Sequence, residues 1–161
     1  PSVIYSVDDN FTTNFMTLLN LLPFFPLYYN GETKFSPMHV SDMTQIISDI
    51  IDRNICSEII ECVGPEVMTF KEILEKLLIL IGKKKLLIPL PLKIAQLIAF
   101  FLERLPKPLL TRDQLRLLKY DNILSGKIKS NLDIGIQPEH KFTDEVKKYS
   151  YMWKAGGEYS K

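Results

Sequence analysis

The stretch Phe35-Ser36-Pro37-Met38-His39-Val40-Ser41-Asp42-Met43 runs directly into Thr44-Gln45-Ile46-Ile47-Ser48-Asp49-Ile50-Ile51, and it constrains the fold more than any other segment. Pro37 holds Ser36 out of helical backbone and has no N–H for a central ladder, so a short edge strand is expected. Ser41 or Asp42 then offers a side-chain oxygen to the free N–H groups of a helix N-terminus. Met43, Ile46, Ile47, Ile50 and Ile51 follow as a full apolar stripe on a helix running to about Arg53. His39 stands at the mouth of that helix.

The rest of the chain repeats the strand-then-helix order. Ser2 to Ser6 reads as a buried strand, and Asp8, Asp9 and Asn10 open a helix whose apolar side includes Phe11, Phe15, Leu19 and Leu22. Pro23 and Pro26 stop it. Leu27-Tyr28-Tyr29 reads as a short strand turned by Asn30-Gly31, and Glu58 to Val63 as another, closed by Gly64-Pro65. Thr69 and Glu72 have capping-box spacing, Met68 and Ile73 staple spacing, and Gly82 marks the C-terminal stop of the next helix. Leu86 to Leu90 reads as a strand.

Leu92 to Leu102 is almost wholly apolar, interrupted by Lys93 and Gln96. It falls short of the roughly 20 residues a membrane span needs, so a buried or half-buried helix is expected. A face that docks on a membrane or another protein is the alternative. Leu105-Pro106-Lys107-Pro108 reads as a linker. A second capping box, Thr111 with Gln114 and the staple pair Leu110 and Leu115, launches a helix to about Tyr120. Asp121 to Pro138 is turn-rich. A last helix opens at Thr143 and ends near Trp153, with Gly156-Gly157 and the tail expected to fray.

At 161 residues the chain suits one domain, 1–161, large enough to bury about 70% of its unfolded surface. The balance of 20 Lys/Arg against 19 Asp/Glu supplies no global field for nucleic acid. Cys56 and Cys62 are too few for a disulfide framework, which points to a reducing, cytoplasmic compartment. The apolar strand at Pro1-Ser2-Val3-Ile4-Tyr5, without an initiator Met, is read as a fragment boundary; a processed terminus is the alternative.

Catalytic signatures are sparse. Neither glycine-rich phosphate loop is present, and no His, Cys and carboxylate residues have metal-ligand spacing. Cys62 falls in an expected strand, where an inert buried thiol is the first reading. His39 is read as a hydrogen-bonded structural residue ahead of a catalytic one. Tyr28, Tyr29 and Phe35 flank a turn, where cleft lining and cross-strand packing both remain open.

Several segments together resemble the C-terminal half of an extended or atypical short-chain dehydrogenase/reductase, the family of NAD-dependent epimerases and dehydratases. Pro1-Ser2-Val3-Ile4-Tyr5 is similar to the family's R-P-x-x-V-Y strand, without its arginine. Phe35 to Met43 resembles its P-V-H-V-x-D-V motif, and Ile60 to Phe70 its strand and G-P-E-x-x-T-F helix opening. Leu109 to Leu118, with Tyr120-Asp121-Asn122, resembles the branch that holds the nucleotide-binding accessory subunit of respiratory complex I and its bacterial relatives.

The resemblance implies an α/β fold: the C-terminal part of a Rossmann-type sheet plus a small, mainly helical substrate-side subdomain. It implies NAD(P) for a full-length parent, bound in an N-terminal half that also carries the catalytic Y-x-x-x-K pair. No Tyr in this chain has Lys four positions on, and the family's V-Y-G-P-G-D turn is replaced by Tyr5-Ser6-Val7-Asp8-Asp9. No dinucleotide is therefore expected to bind this chain tightly. By analogy Tyr5, Ser6, Phe11, Tyr28, Tyr29 and His39 are the candidates for lining the substrate cleft.

Two functions remain open: the substrate-side portion of an oxidoreductase or epimerase, incomplete by itself, or part of a non-catalytic nucleotide-binding accessory or assembly factor. The expected partners are the missing half and, through the bare edge of the Val3 strand, a second copy. That strand is expected to lie parallel to the one near Ile60. A protein complex or membrane periphery is the further expectation.

Overall fold

A computed structural model describes residues 1–104 and 112–159. The architecture is α/β, with parallel strands, helices, and a helical subdomain towards the C-terminal half. The first strand, β1 (Ile4–Tyr5), pairs in parallel with β4 (Met38–His39), Ile4 opposite Met38 and Tyr5 opposite His39. Two more pairs form: β2 (Phe24–Leu27) with β6 (Leu86–Pro89) in parallel, and β3 (Lys34–Phe35) with β5 (Met68–Thr69) antiparallel. The neighbour expected for β1, the Ile60 segment, contributes one hydrogen bond, from the Ser2 N–H to the Cys62 carbonyl at 2.8 Å.

The expected strand from Glu58 to Val63 reduces to a bridge between Glu61 and Ser130. Asn131, fully buried, takes over the pairing there. Its side chain accepts from the Val63 N–H at 2.9 Å and donates to the Ile136 carbonyl at 3.1 Å. A side chain that replaces a ladder partner satisfies the backbone without building a strand.

The core is organised by α3 (Phe70–Ile81), bounded as its capping signals require. The Thr69 hydroxyl accepts from the Glu72 N–H, the Glu72 carboxylate accepts from the Thr69 N–H, and Gly82 closes the helix at φ 69°. Phe70, Ile73, Leu74, Leu77 and Ile81 are buried against Met16 and Leu19 of α1 (Thr12–Leu21), Phe25 and Leu27 of β2, and Phe142, Val146 and Trp153. Burying side chains of this size contributes about 2 kcal/mol each.

Several boundaries differ from expectation. The helix after the Pro37 segment, α2 (Val40–Asp52), is capped by His39 rather than Ser41 or Asp42. Helical backbone already begins at Val40, which places Asp42 in the first turn. Only the centre of the apolar stripe is used: Ile46 is buried beside Met38, Cys62 and Ile136, whereas Ile47 and Ile51 are 47% and 70% exposed. The helix lies on a small cluster, too narrow for a stripe that wide.

The strand expected at Leu27 to Tyr29 starts earlier, at Phe24, and contains Pro26. A two-stranded ribbon leaves every second N–H without a ladder partner, so one proline is tolerated. Tyr28–Gly31 forms a 3-10 turn with Tyr29 and Asn30 at positive φ. The apolar run forms α4 (Leu92–Leu102), followed by α5 (Arg112–Leu117). The Leu105–Pro108 linker and the cap and staple residues Thr111 and Leu110 lie outside the described residues.

The last helix breaks in two, α6 (Phe142–Lys147) and a 3-10 turn at Ser150–Trp153. The tail, expected to fray, is tied down as far as Tyr159. Asn20 donates to the carbonyls of Trp153 and Tyr159, and the Trp153 and Tyr159 rings meet at 4.9 Å.

Candidate functional site

Parallel pairing puts the C-terminal ends of β1 and β4 side by side, where an open α/β sheet presents its ligand crevice. Tyr5 and His39 are therefore neighbours, with ring centroids 5.3 Å apart. His39 stacks on His140 at 4.9 Å, and Tyr5, fully buried, donates its hydroxyl proton to the His140 carbonyl at 3.2 Å. The buried Asp42 carboxylate closes the group, 2.7 Å from the His140 Nδ1.

This cluster holds the chain together. Burial above all, and then the Glu145 carboxylate, push the Tyr5 hydroxyl far above its ordinary value, so it stays a neutral donor. Burial lowers the His39 imidazole, and nearby His140 lowers it further against the opposing pull of Glu145. A neutral Nδ1 is what accepts the Ser41 N–H at 3.3 Å.

Ser6 and Phe11 do not join the cluster. The Ser6 N–H donates to Asp9 Oδ2 at 2.9 Å, and Asp9 Oδ1 also accepts the N–H groups of Phe11 and Thr13 at the head of α1. Phe11, half-buried, packs edge-on to Phe15 and near Phe35, against the edge of the core. Tyr28 and Tyr29 lie in the helical subdomain. Tyr28 is buried with Ala95 and Leu115, its hydroxyl pushed up to about 12 by burial.

Tyr29 lines a cleft of about 410 Å³ between the 28–31 turn, α4 and α5. Positive φ at Tyr29 turns it out of the ribbon toward the helices. Lys93, Gln96 and Leu97 come from one wall, Arg112, Leu115 and Arg116 from the other, and Phe100 joins them. Glu103 holds the Arg112 guanidinium at 2.7 and 2.9 Å. The Arg112 hydrogen bond in turn lowers the Glu103 carboxyl. Cations beside aromatic rings suit a ligand with an anionic group and a flat one.

The six sequence candidates thus divide. Tyr5 and His39 meet, Tyr29 lines the cleft, Tyr28 packs behind it, and Ser6 and Phe11 serve the head of α1. Sequence reasoning passed over Lys93, Gln96, Arg112 and Arg116 as site residues. Their signal was present: two polar breaks in an apolar run, and two arginines at i, i+4. Asp42 and His140 are separated by 98 positions and carried no such signal.

Among the described residues no group of three or more His, Cys, Asp and Glu could hold a metal. A dinucleotide pyrophosphate needs backbone N–H groups free at a helix N-terminus. The heads of α1, α2, α3 and α6 donate instead to Asp9, His39, Thr69 and Glu66 of the chain itself. None of these four helix heads fits that group.

The fold is the one shared by Rossmann-type sugar-nucleotide dehydratases. A dTDP-glucose 4,6-dehydratase from Bacillus anthracis, solved in complex with NAD, superposes with a TM-score of 0.60 at 14% identity, over 94% of this chain and 42% of that one. No protein-family model matches. In sequence the chain is similar to complex I subunits, as its motifs implied. It is 28% identical over 141 residues to the NADH-ubiquinone oxidoreductase 40 kDa subunit of Neurospora crassa mitochondria, across 86% of this chain and 36% of that protein. Over 168 residues it is 25% identical to the mitochondrial NADH dehydrogenase [ubiquinone] 1 alpha subcomplex subunit 9 of Arabidopsis thaliana, across 98% and 42%. The chain spans about two-fifths of the length of these curated relatives.

Proposed function

We propose that this chain is the substrate-side portion of an NAD(P)-binding protein of the short-chain dehydrogenase/reductase type. Within that class we favour a nucleotide-binding accessory subunit of a respiratory NADH dehydrogenase over a free-standing oxidoreductase or epimerase. The observation that carries the choice is the similarity to two mitochondrial NADH dehydrogenase subunits along 86% and 98% of the chain. The dehydratase likeness speaks to fold alone.

The geometry at the strand ends supports the accessory reading. Tyr5 and His39 stand where a substrate crevice is expected, yet the Tyr5 hydroxyl and the His39 Nδ1 are engaged by His140 and Ser41. NAD(P) then belongs to a preceding half of a longer protein, and the Tyr29 cleft is left for an anionic ligand. The compartment follows the relatives: peripheral to a membrane complex in mitochondria, in place of the cytoplasmic default.

Native electrophoresis of detergent-solubilised membranes tests this. The longer protein should migrate with NADH dehydrogenase activity, and its removal should lower that activity. A protein that stays apart from the complex and turns over a sugar nucleotide would overturn the reading.

A further inference from the structure

We propose that the outward face of the β2–β6 ribbon, with its basic flank, docks on an anionic lipid bilayer. Phe25 and Leu27 point into the core at 4% and 2% exposure, while on the opposite face Phe24 pairs with Leu86 and Pro26 with Ile88. Phe24, Leu86 and Ile88 are 50%, 72% and 42% exposed. Parallel strands are ordinarily covered on both faces, so an apolar outer face calls for a covering layer.

Charge says what the layer is. Residues 83–119 hold nine Lys/Arg and two Asp/Glu, seven positive charges net. The remainder holds eleven Lys/Arg and seventeen Asp/Glu, six negative net, so a nearly neutral chain is strongly polarised. Lys83-Lys84-Lys85 leads directly into Leu86, and Lys93 follows on α4, where Ile94 and Leu97 are also exposed. Basic residues bordering apolar ones match the boundary between anionic headgroups and acyl chains. The contact is peripheral: among the described residues no helix is long and apolar enough to cross a membrane. The 11 residues of α4 reach about 16 Å against a hydrocarbon core of about 30 Å.

Co-sedimentation of the chain with phosphatidylcholine vesicles, with and without phosphatidylglycerol, is the test. Binding to the anionic vesicles should exceed binding to the neutral ones by about tenfold or more and fall as salt rises. The pair Leu86→Ser and Ile88→Ser, and separately Lys84→Glu and Lys85→Glu, should each cut the anionic partition about tenfold. Circular dichroism melts establish that these surface variants remain folded. No binding to either vesicle, equal binding to both, or undiminished binding by a folded variant pair would each overturn the proposal. An unbound chain that instead captures a purified protein would point to a protein partner and sink the lipid assignment.

Discussion

The Asp42 carboxylate lies 2.7 Å from the Nδ1 of His140 and also accepts the backbone N–H groups of Glu139 and His140, at 3.1 and 3.2 Å. One side chain at the head of α2 thus fixes the segment that leads into α6. The carboxylate is buried, and removing it takes the shared acceptor from two backbone donors and a ring nitrogen at the edge of the core, where Glu139 is exposed and His140 half-buried. Asp42→Ala should cost about 3 kcal/mol in urea unfolding. A change within about 0.5 kcal/mol would mean the contact is incidental.

His39 should report as a pH-dependent cap. Burial, reinforced by His140, lowers its folded-state pKa below the unfolded value, against Glu145 and Asp42; Lys148 adds to the lowering. The unfolded chain then binds the extra proton, so the contribution is full above about pH 6.5 and is lost as pH falls through the lowered value. Urea midpoints between about pH 8 and pH 5 should decline more steeply for the parent than for His39→Asn, which keeps an acceptor without titrating. Equal slopes would remove His39 from the account.

The Thr69 cap makes a third case. Thr69→Ala should lower stability by about 1 kcal/mol, or about 2–4 °C in Tm. The Thr69 N–H, followed by its hydroxyl, holds the Glu72 carboxyl below its ordinary value. That stabilisation is present above the ordinary Glu range and disappears as pH drops through the lowered value. Thermal melts of parent and variant should therefore draw closer in acid as the hydroxyl–carboxylate bond is lost, without meeting, because the hydroxyl still accepts the Glu72 N–H there; a gap that widens in acid would contradict the reciprocal cap.

Much of this frame was legible because its signals are local. Thr69, Glu72, Met68, Ile73 and Gly82 lie within a few turns of one another and set α3 by themselves. The Asp42–His140 contact was not legible, since nothing local in either segment asks for the other. The Glu58–Val63 strand misled because its β-branched residues do not share a buried face, Ile59 being 78% exposed, and beyond the Glu61–Ser130 bridge the Val63 N–H is taken by the Asn131 side chain. At the cleft, Lys93 and Gln96 were visible as polar breaks, but only folding brings α5 against them.

Gly64 marks a close approach that the G-P-E motif gave no reason to expect. A Cβ there would fall 1.8 Å from the Pro37 carbonyl oxygen, a backbone atom that cannot swing aside. Gly64→Ala should force apart the two segments joined by the Gly64 N–H to Ser36 carbonyl bond, at a cost of about 3 kcal/mol or more. Parent-like urea unfolding of the variant would contradict that packing.

The central claim is that this chain is a substrate-side portion whose dinucleotide site lies outside it. Calorimetric titration of NADPH and NADH into the purified 161-residue chain tests it most directly. No isotherm is expected at micromolar concentration, because the heads of α1, α2, α3 and α6 are already occupied by Asp9, His39, Thr69 and Glu66. A saturating micromolar isotherm for either nucleotide would contradict it.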